Sequence, residues 1–206
     1  LFGVSRPSAN QYRCKRLMVF GDSNAYRPGN GPNCWPAMLQ RISGGTLRVA
    51  NESCDGRTTR YDTGEYNGLG IIEEKIGKVQ PIDIFLTALG INDLKRIYGP
   101  PNAEEIVAGI EQIRQAVYRL KPNVHFALAT PAPMGNVIHG DLADAQHRLA
   151  SVAEKYRRYA SERKIPMIDL YLNLDPTTDL DLDGVHLNQR GRIKVANFVW
   201  DGIKKG

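Results

Sequence analysis

The sequence predicts an α/β fold with a five-stranded parallel sheet, and three observations carry that prediction. Five short apolar runs, rich in β-branched residues, are spread along 206 residues. Amphipathic stretches of helical period separate them. No internal repeat, low-complexity tract or linker interrupts the alternation. Strands alternating with helices imply right-handed crossovers and a parallel sheet covered on both faces. A chain of this length fits one domain, expected over residues 1–206 with 1–15 as an N-terminal extension. Folding at that size removes roughly 70% of the unfolded chain's surface from water, enough for a core without disulfides or metals.

Taken in order, the first strand is expected at 16–21 (RLMVFG), a helix near 33–43 and the second strand at 46–51 (TLRVAN). A helix near 67–78 leads to the third strand, 82–89 (IDIFLTAL). The helix at 102–121 is the best marked, because Ile106, Ile110, Ile113, Val117 and Leu120 recur every three or four residues on one apolar face. Asn102 is its expected N-cap, and Pro122 ends the run. The fourth strand follows at 124–130 (VHFALAT), then a helix at 141–164 and the fifth strand at 166–170 (PMIDL). In the last helix, 188–204, Ile193, Ala196, Val199 and Ile203 form one stripe behind an Asn188 cap.

Composition narrows the function classes. Apolar residues make up 42% and charged residues 24%, ordinary for a globular protein. The net charge of +5 comes from scattered basic residues interleaved with acids, such as Arg57 and Arg60 or Lys204 and Lys205. Nucleic-acid proteins concentrate such charge in a stripe, so solvated faces are the better reading and no nucleic-acid partner is expected. No apolar run approaches the roughly 18 residues of a membrane span, so no membrane span is expected. The opening LFGVSRPSANQYRCKR lacks the charged and apolar regions of an intact signal peptide, which favours a cytoplasmic setting. The chain does not begin with Met, so secretion stays open, as does a homo-oligomer. Three cysteines cannot all pair, and no metal-ligand spacing is present; free thiols are the default, with a Cys34–Cys54 bridge as the alternative.

In a parallel sheet, functional groups gather where strands end at their carboxyl edges. Here those places read Gly21-Asp22-Ser23-Asn24, 51-NESCDG-56, Gly90-Ile91-Asn92-Asp93, 131-PAPMGN-136, and a polar loop ending Asp183-Gly184-Val185-His186. Nucleotide binding does not fit: Gly29 and Gly31 lie well past the first strand, and the third glycine's place holds Cys34. The stretch DLDLDG at 179–184 opens like a calcium loop, yet the required glutamate falls on Arg190. Its acids therefore read as a solvated loop in which Asp183 alone has a special task. No cofactor and no metal site are expected.

Ser23 is a helix cap, a turn residue or a nucleophile. As a nucleophile it needs a base, and the base needs an acid to fix its tautomer. Of four histidines, His125 falls in a strand and His147 in a helix, places more often structural. His139 and His186 compete from loops. His139 has Asp141 nearby, whereas His186 follows Asp183 by three residues immediately before a helix. That spacing lets a carboxylate meet Nδ1 while Nε2 faces Ser23, so His186 is preferred and His139 stays open. Acyl transfer also needs donors for a developing oxyanion. The Ser23 N–H, the Gly56 N–H and the Asn92 side chain are the candidates, Gly56 because a missing Cβ permits close approach. Each alone is an ordinary cap or turn; their joint placement after strands one, two and three is the signal.

These four blocks, Gly21-Asp22-Ser23-Asn24, Gly56, Gly90-Ile91-Asn92-Asp93 and Asp183-Gly184-Val185-His186, resemble the SGNH (GDSL-type) hydrolase superfamily in content and order. The resemblance implies a flavodoxin-like, three-layer α/β/α sandwich. It also implies Ser23 as nucleophile, His186 as general base, Asp183 as its partner, and an oxyanion hole from Ser23, Gly56 and Asn92. One position departs, since Asn24 stands where Leu is commonest. The stretches 56-GRTTRYDTGEYNG-68 and 82-IDIFLTALGINDLK-95 are similar to the arylesterase and acyltransferase branch. That likeness implies short acyl esters of small molecules, aryl or carbohydrate acetates among them, with acyl transfer to alcohols as a second outlet. The rivals are a thioesterase or lysophospholipase with a longer acyl pocket and, more remotely, a non-catalytic ligand-binding domain. Asp22 and Asp93 are expected to brace their turns, and Arg57 and Arg60 to orient loops through ion pairs. Asn24, Trp35, Tyr61, Tyr66, Met134, Val137 and Ile138 are candidates for the substrate pocket, with core or rim packing as the other reading.

Overall fold

A computed structural model describes residues 14–99, 101–136 and 140–204. The chain runs β1 (Lys15–Gly21), α1 (Ser23–Tyr26), α2 (Trp35–Ile42), β2 (Leu47–Asn51), α3 (Gly68–Lys78), β3 (Ile84–Ala88) and α4 (Ala103–Leu120). It continues through β4 (His125–Ala129), α5 (Ala145–Arg163), β5 (Met167–Ile168), α6 (Leu170–Asn173) and α7 (Gln189–Lys204). All strand pairs are parallel, in the order β2-β1-β3-β4-β5.

Successive side chains of a strand point to opposite faces, and both faces of this sheet are apolar. In β1, Leu17 and Val19 enter one core with Trp35 and Leu39 of α2 and Val195 and Val199 of α7. Met18 and Phe20 enter the other, with Ile72 of α3, Ile106 and Ile113 of α4, and Val152 and Tyr156 of α5. The result is three layers, helix on sheet on helix. Phe20, Phe85 and Phe126 form a ladder across β1, β3 and β4, with ring centroids 5.8 and 5.7 Å apart.

The helix signals in the sequence correspond to real caps. Asn102 and Glu105 form a reciprocal capping box, with bonds of 2.9 and 2.8 Å. Asn188 Oδ1 accepts the Gly191 N–H at 3.0 Å as α7 begins. Three features differ from expectation. β5 has two residues instead of the expected 166–170, because Asp169 turns aside to cap α6 and accepts the Leu172 N–H at 3.1 Å. The helix expected from 141 starts at Ala145, after a single 3₁₀ turn at Gly140–Leu142. Of the expected N-terminal extension only Cys14 and Lys15 are described, and Lys15 already pairs with Leu47 in the sheet. Cys14, Cys34 and Cys54 are free thiols, so Cys34 and Cys54 do not bridge. Among the described residues no helix is long and apolar enough to cross a membrane.

The strand order reverses between β1 and β3: the chain moves outward from β1 to β2, then crosses back to β3 on the other side. That reversal is where α/β sheets open a crevice at their carboxyl ends. Gly21 pairs with Ala88 at the tips of these two strands, so the loops after them emerge side by side.

Candidate active site

The turn that carries Ser23 is tied to the sheet from both ends. The Gly21 N–H donates to Ser53 Oγ at 2.9 Å, and the Gly21 carbonyl accepts the Cys54 N–H at 3.2 Å. These bonds bring the loop after β2 against the end of β1. Asp22 then caps α1, its Oδ1 accepting the Asn24 N–H at 2.9 Å. Ser23 becomes the first residue of that helical turn and is only 5% exposed.

The loop before α7 delivers the imidazole. Asp183 Oδ1 accepts the N–H groups of Val185 and His186, each at 2.9 Å, folding the loop into a tight turn. Its other oxygen lies 2.6 Å from His186 Nδ1, and His186 Nε2 lies 3.0 Å from Ser23 Oγ. Partial burial pushes the Asp183 carboxyl upward, but the His186 ring and the two backbone N–H groups outweigh it and hold the group below its usual range. His139, the competing histidine, lies outside the described residues.

The acids of the 179–184 stretch do not all face water. Asp179 is fully buried, with Lys194 Nζ at 2.6 Å and Arg190 Nε at 3.2 Å. The arginine that rules out a calcium loop is thus one of its two counter-ions. Gly191 lets α7 approach this anchor, since a Cβ there would sit 2.1 Å from the Asp179 carbonyl oxygen.

Gly56 and Asn92 complete the arrangement. Gly56 has φ of +77°, and a Cβ there would meet nothing closer than 3.6 Å. Conformation, and not space, demands glycine. Asn92 is 5% exposed, and its Nδ2 donates one hydrogen to the Arg57 carbonyl at 3.2 Å, leaving a second amide hydrogen. Arg57 is fully buried behind it and donates to the carbonyls of Glu65 at 2.9 Å and Gly21 at 3.4 Å, and to that of Glu52. Its guanidinium lies 4.5 Å above the Phe20 ring. Arg60 bonds Gln112 Oε1 at 3.0 Å. Both arginines therefore orient loops through carbonyl and amide oxygens, where ion pairs were expected. Asp93 accepts the Thr59 N–H at 3.0 and 3.1 Å, bracing the loop after β2. Burial raises the Asp93 carboxyl to about 6 and that of Asp22 to about 7.

These residues surround a cleft of about 510 Å³. Among the described residues it is lined by Ser23, Gly56, Asn92, Asp183 and His186, with Arg27, Asp55, Lys95, Asp141, Leu142 and Val185. The structure thus brings Ser23, Asp183, His186, Gly56 and Asn92 together. Of the pocket candidates among the described residues, Asn24, Trp35, Tyr61 and Met134 do not line this cleft. Trp35 and Met134, each 2% exposed, pack into the two cores, because α2 turns the Trp35 ring inward and the loop after β4 turns Met134 away from the cleft. Tyr61 lies against the Arg60 guanidinium at 5.4 Å, and the Asn24 amide is bonded to the backbone of Val185 and Leu187. The Tyr66 ring flanks Gly56, while Val137 and Ile138 lie outside the described residues. Arg27 and Lys95 were missed. Arg27 pairs with Asp55 at 3.2 Å, and its Nη1 is 3.3 Å from His186 Nδ1. The signal for both was proximity in sequence: Arg27 follows Ser23 by one helical turn, and Lys95 follows Asn92 by one 3₁₀ turn. No cluster of three or more His, Cys, Asp or Glu side chains among the described residues is placed to hold a metal ion.

Residues 19–192 match the family model of the GDSL-like lipase/acylhydrolases. No curated protein is significantly similar to the chain in sequence. Among solved structures, a carbohydrate acetylesterase family member from Sinorhizobium meliloti superposes with a TM-score of 0.79 at 24% identity, covering 93% of this chain and 98% of that one. A protein assigned as an arylesterase, from Agrobacterium tumefaciens str. C58, gives 0.77 at 25% identity, covering 93% and 99%. The native aryl esterase of M. smegmatis gives 0.77 at 19% identity, again covering 93% and 99%.

Proposed function

The chain belongs to the GDSL-like lipase/acylhydrolase family and is an SGNH-type ester hydrolase, and from that membership we propose that it removes short, acetyl-sized acyl groups from polar alcohols through an acyl-serine intermediate. One observation carries the proposal: Ser23 Oγ, His186 and Asp183 form a connected chain at 3.0 and 2.6 Å. Ser23 attacks the ester carbonyl while His186 Nε2 takes its proton. Asp183 holds the Nδ1–H, which fixes the tautomer and stabilises the imidazolium. The developing oxyanion is met by the N–H groups of Ser23 and Gly56 and by the second amide hydrogen of Asn92. Collapse expels the alcohol with the proton from His186. Water, deprotonated by the same imidazole, then releases the acid; an alcohol in its place completes acyl transfer.

The cleft lining supports a small acyl group and a polar leaving alcohol. Arg27, Asp55, Lys95 and Asp141 surround the reacting centre, and only Leu142 and Val185 offer aliphatic side chains among the described residues. A long acyl chain gains its affinity from apolar burial, at about 25 cal/mol per Å², and the described lining sets four charged side chains against two aliphatic ones. Hydroxyl groups of a carbohydrate suit the charged lining, in keeping with the acetylesterase neighbour. A series of p-nitrophenyl esters tests the substrate class. Activity should peak between acetate and butyrate, and a maximum at octanoate or longer would support a thioesterase or lysophospholipase instead. Ser23→Ala should abolish acetate hydrolysis with the fold intact by circular dichroism; wild-type activity in that variant would remove the nucleophile.

A further inference from the structure

The side-chain amide of Asn24 spans the residues on both sides of His186. Its Nδ2 donates to the Val185 carbonyl at 3.2 Å, and its Oδ1 accepts the Leu187 N–H at 2.9 Å. The other main-chain groups of this short segment are engaged as well. Asp183 Oδ1 accepts the Val185 and His186 N–H groups, the His186 carbonyl accepts the Asp181 N–H at 2.7 Å, and the Leu187 carbonyl accepts Arg192 Nη1 at 2.6 Å. Of these partners, Asn24 alone belongs to the turn that carries Ser23. Its own N–H is fixed by Asp22 Oδ1 at 2.9 Å, so the nucleophile's turn and the segment bearing the base share one residue. An amide suits the task because it offers a donor and an acceptor on one planar group. Leucine at this position would leave the Val185 carbonyl and the Leu187 N–H without these partners.

We propose that Asn24 is a positioning residue, fixing the backbone around His186 relative to Ser23 and so setting the approach of Nε2 to Oγ. The inference rests on the reading of His186 as the base for Ser23. Asn24 does not line the cleft, and its amide is engaged on main chain, so it acts on the chemical step and not on substrate affinity. Misplacing a reacting group by about 1 Å costs on the order of 100-fold in rate.

The experiment compares Asn24→Leu, Asn24→Asp and Ser23→Ala in steady-state hydrolysis of p-nitrophenyl acetate. Alongside it, the low-field proton resonance of the His186–Asp183 hydrogen bond is followed by NMR. Asn24→Leu removes both bonds; Asn24→Asp keeps the acceptor for Leu187 and removes the donor to Val185. The expected result is a kcat lower by about ten- to a hundred-fold in Asn24→Leu and by less in Asn24→Asp. KM should stay within about twofold while the low-field resonance broadens, a pattern that loss of general stability does not produce. If Asn24→Leu fails to fold, Asn24→Asp carries the test alone. Wild-type kcat in the folded variants, or a loss confined to KM, overturns the inference while an inactive Ser23→Ala leaves the catalytic reading standing. Activity in Ser23→Ala overturns the catalytic reading beneath it.

Discussion

The two sides of the cleft are held in place by different physics. On the side of Ser23, the proposed nucleophile, Leu17, Met18, Val19 and Phe20 are all fully buried, and β1 lies between β2 and β3. Ser23 inherits its position from the hydrophobic core and the strand ladder, and Gly21 passes it on. On the base side, residues 175–188 contain no helix and no ladder beyond a bridge between Leu180 and Leu187. Polar side chains hold that loop: buried Asp179 between Lys194 and Arg190, and Asn188 donating to the carbonyls of Thr178 and Leu180 at 2.9 Å each. Asp183 and Asn24 finish the task around His186. The lesson is that changes around the imidazole should lower activity with little loss of stability, whereas changes in the core beneath Ser23 should lower both together.

The largest expected effect tests that separation directly. His186→Ala should lower turnover of p-nitrophenyl acetate by about 10⁵- to 10⁶-fold. Its thermal midpoint should move by only a few degrees, and a loss of several kcal/mol by calorimetry would break the comparison. Asp183→Asn comes next, with a fall of about 10⁴-fold in kcat as the tautomer is no longer fixed. Phe20→Ala probes the opposite side. It should cost about 3–5 kcal/mol of stability, read from denaturant midpoints, because it opens a cavity and removes the surface beneath Arg57.

The remaining effect is a slope in pH, and the two sides should differ in its sign. Burial raises Asp22 to about 7 and Asp93 to about 6, from an ordinary value of 3.8. Between those limits the folded state binds more protons than the unfolded chain, so their contribution is full near pH 4 and is lost as pH rises to 7. Asp183 is depressed by its bonds to His186 and Val185, so its contribution runs the other way, present above about pH 4 and lost on acidification. Denaturant midpoints of Asp22→Asn between pH 4 and 7.5 should fall less steeply than those of the wild type. An unchanged slope would contradict the buried, uncharged Asp22.

What the sequence reveals follows the same division. The strands, the long helices and the helix caps were legible because they rest on local periodicity and cap chemistry, as at Ile106 to Val117 and at Asn102; Leu120, at the end of that stripe, is exposed. β5 was over-extended because Asp169 reads equally as a strand residue or a cap until its partner, the Leu172 N–H, is placed. That Ser23, Gly56, Asn92, Asp183 and His186 gather around one cleft was legible because the topology brings strand ends together. The pocket was not. Trp35 and Met134 lie near strand ends in sequence, but helix packing turns them into the cores. Asp179 and Asp183 look alike in DLDLDG, yet one is buried between two cations and the other holds an imidazole. Only tertiary packing tells them apart.

The central claim is that an aligned base makes Ser23 reactive, whereas a serine that merely caps a turn would be inert. Covalent labelling by a fluorophosphonate, located by peptide mass spectrometry and compared between wild type and His186→Ala, tests it most directly. The predicted result is a single adduct on Ser23 in the wild type that disappears in His186→Ala. No adduct, an adduct on another residue, or equal labelling in the two proteins would contradict the claim.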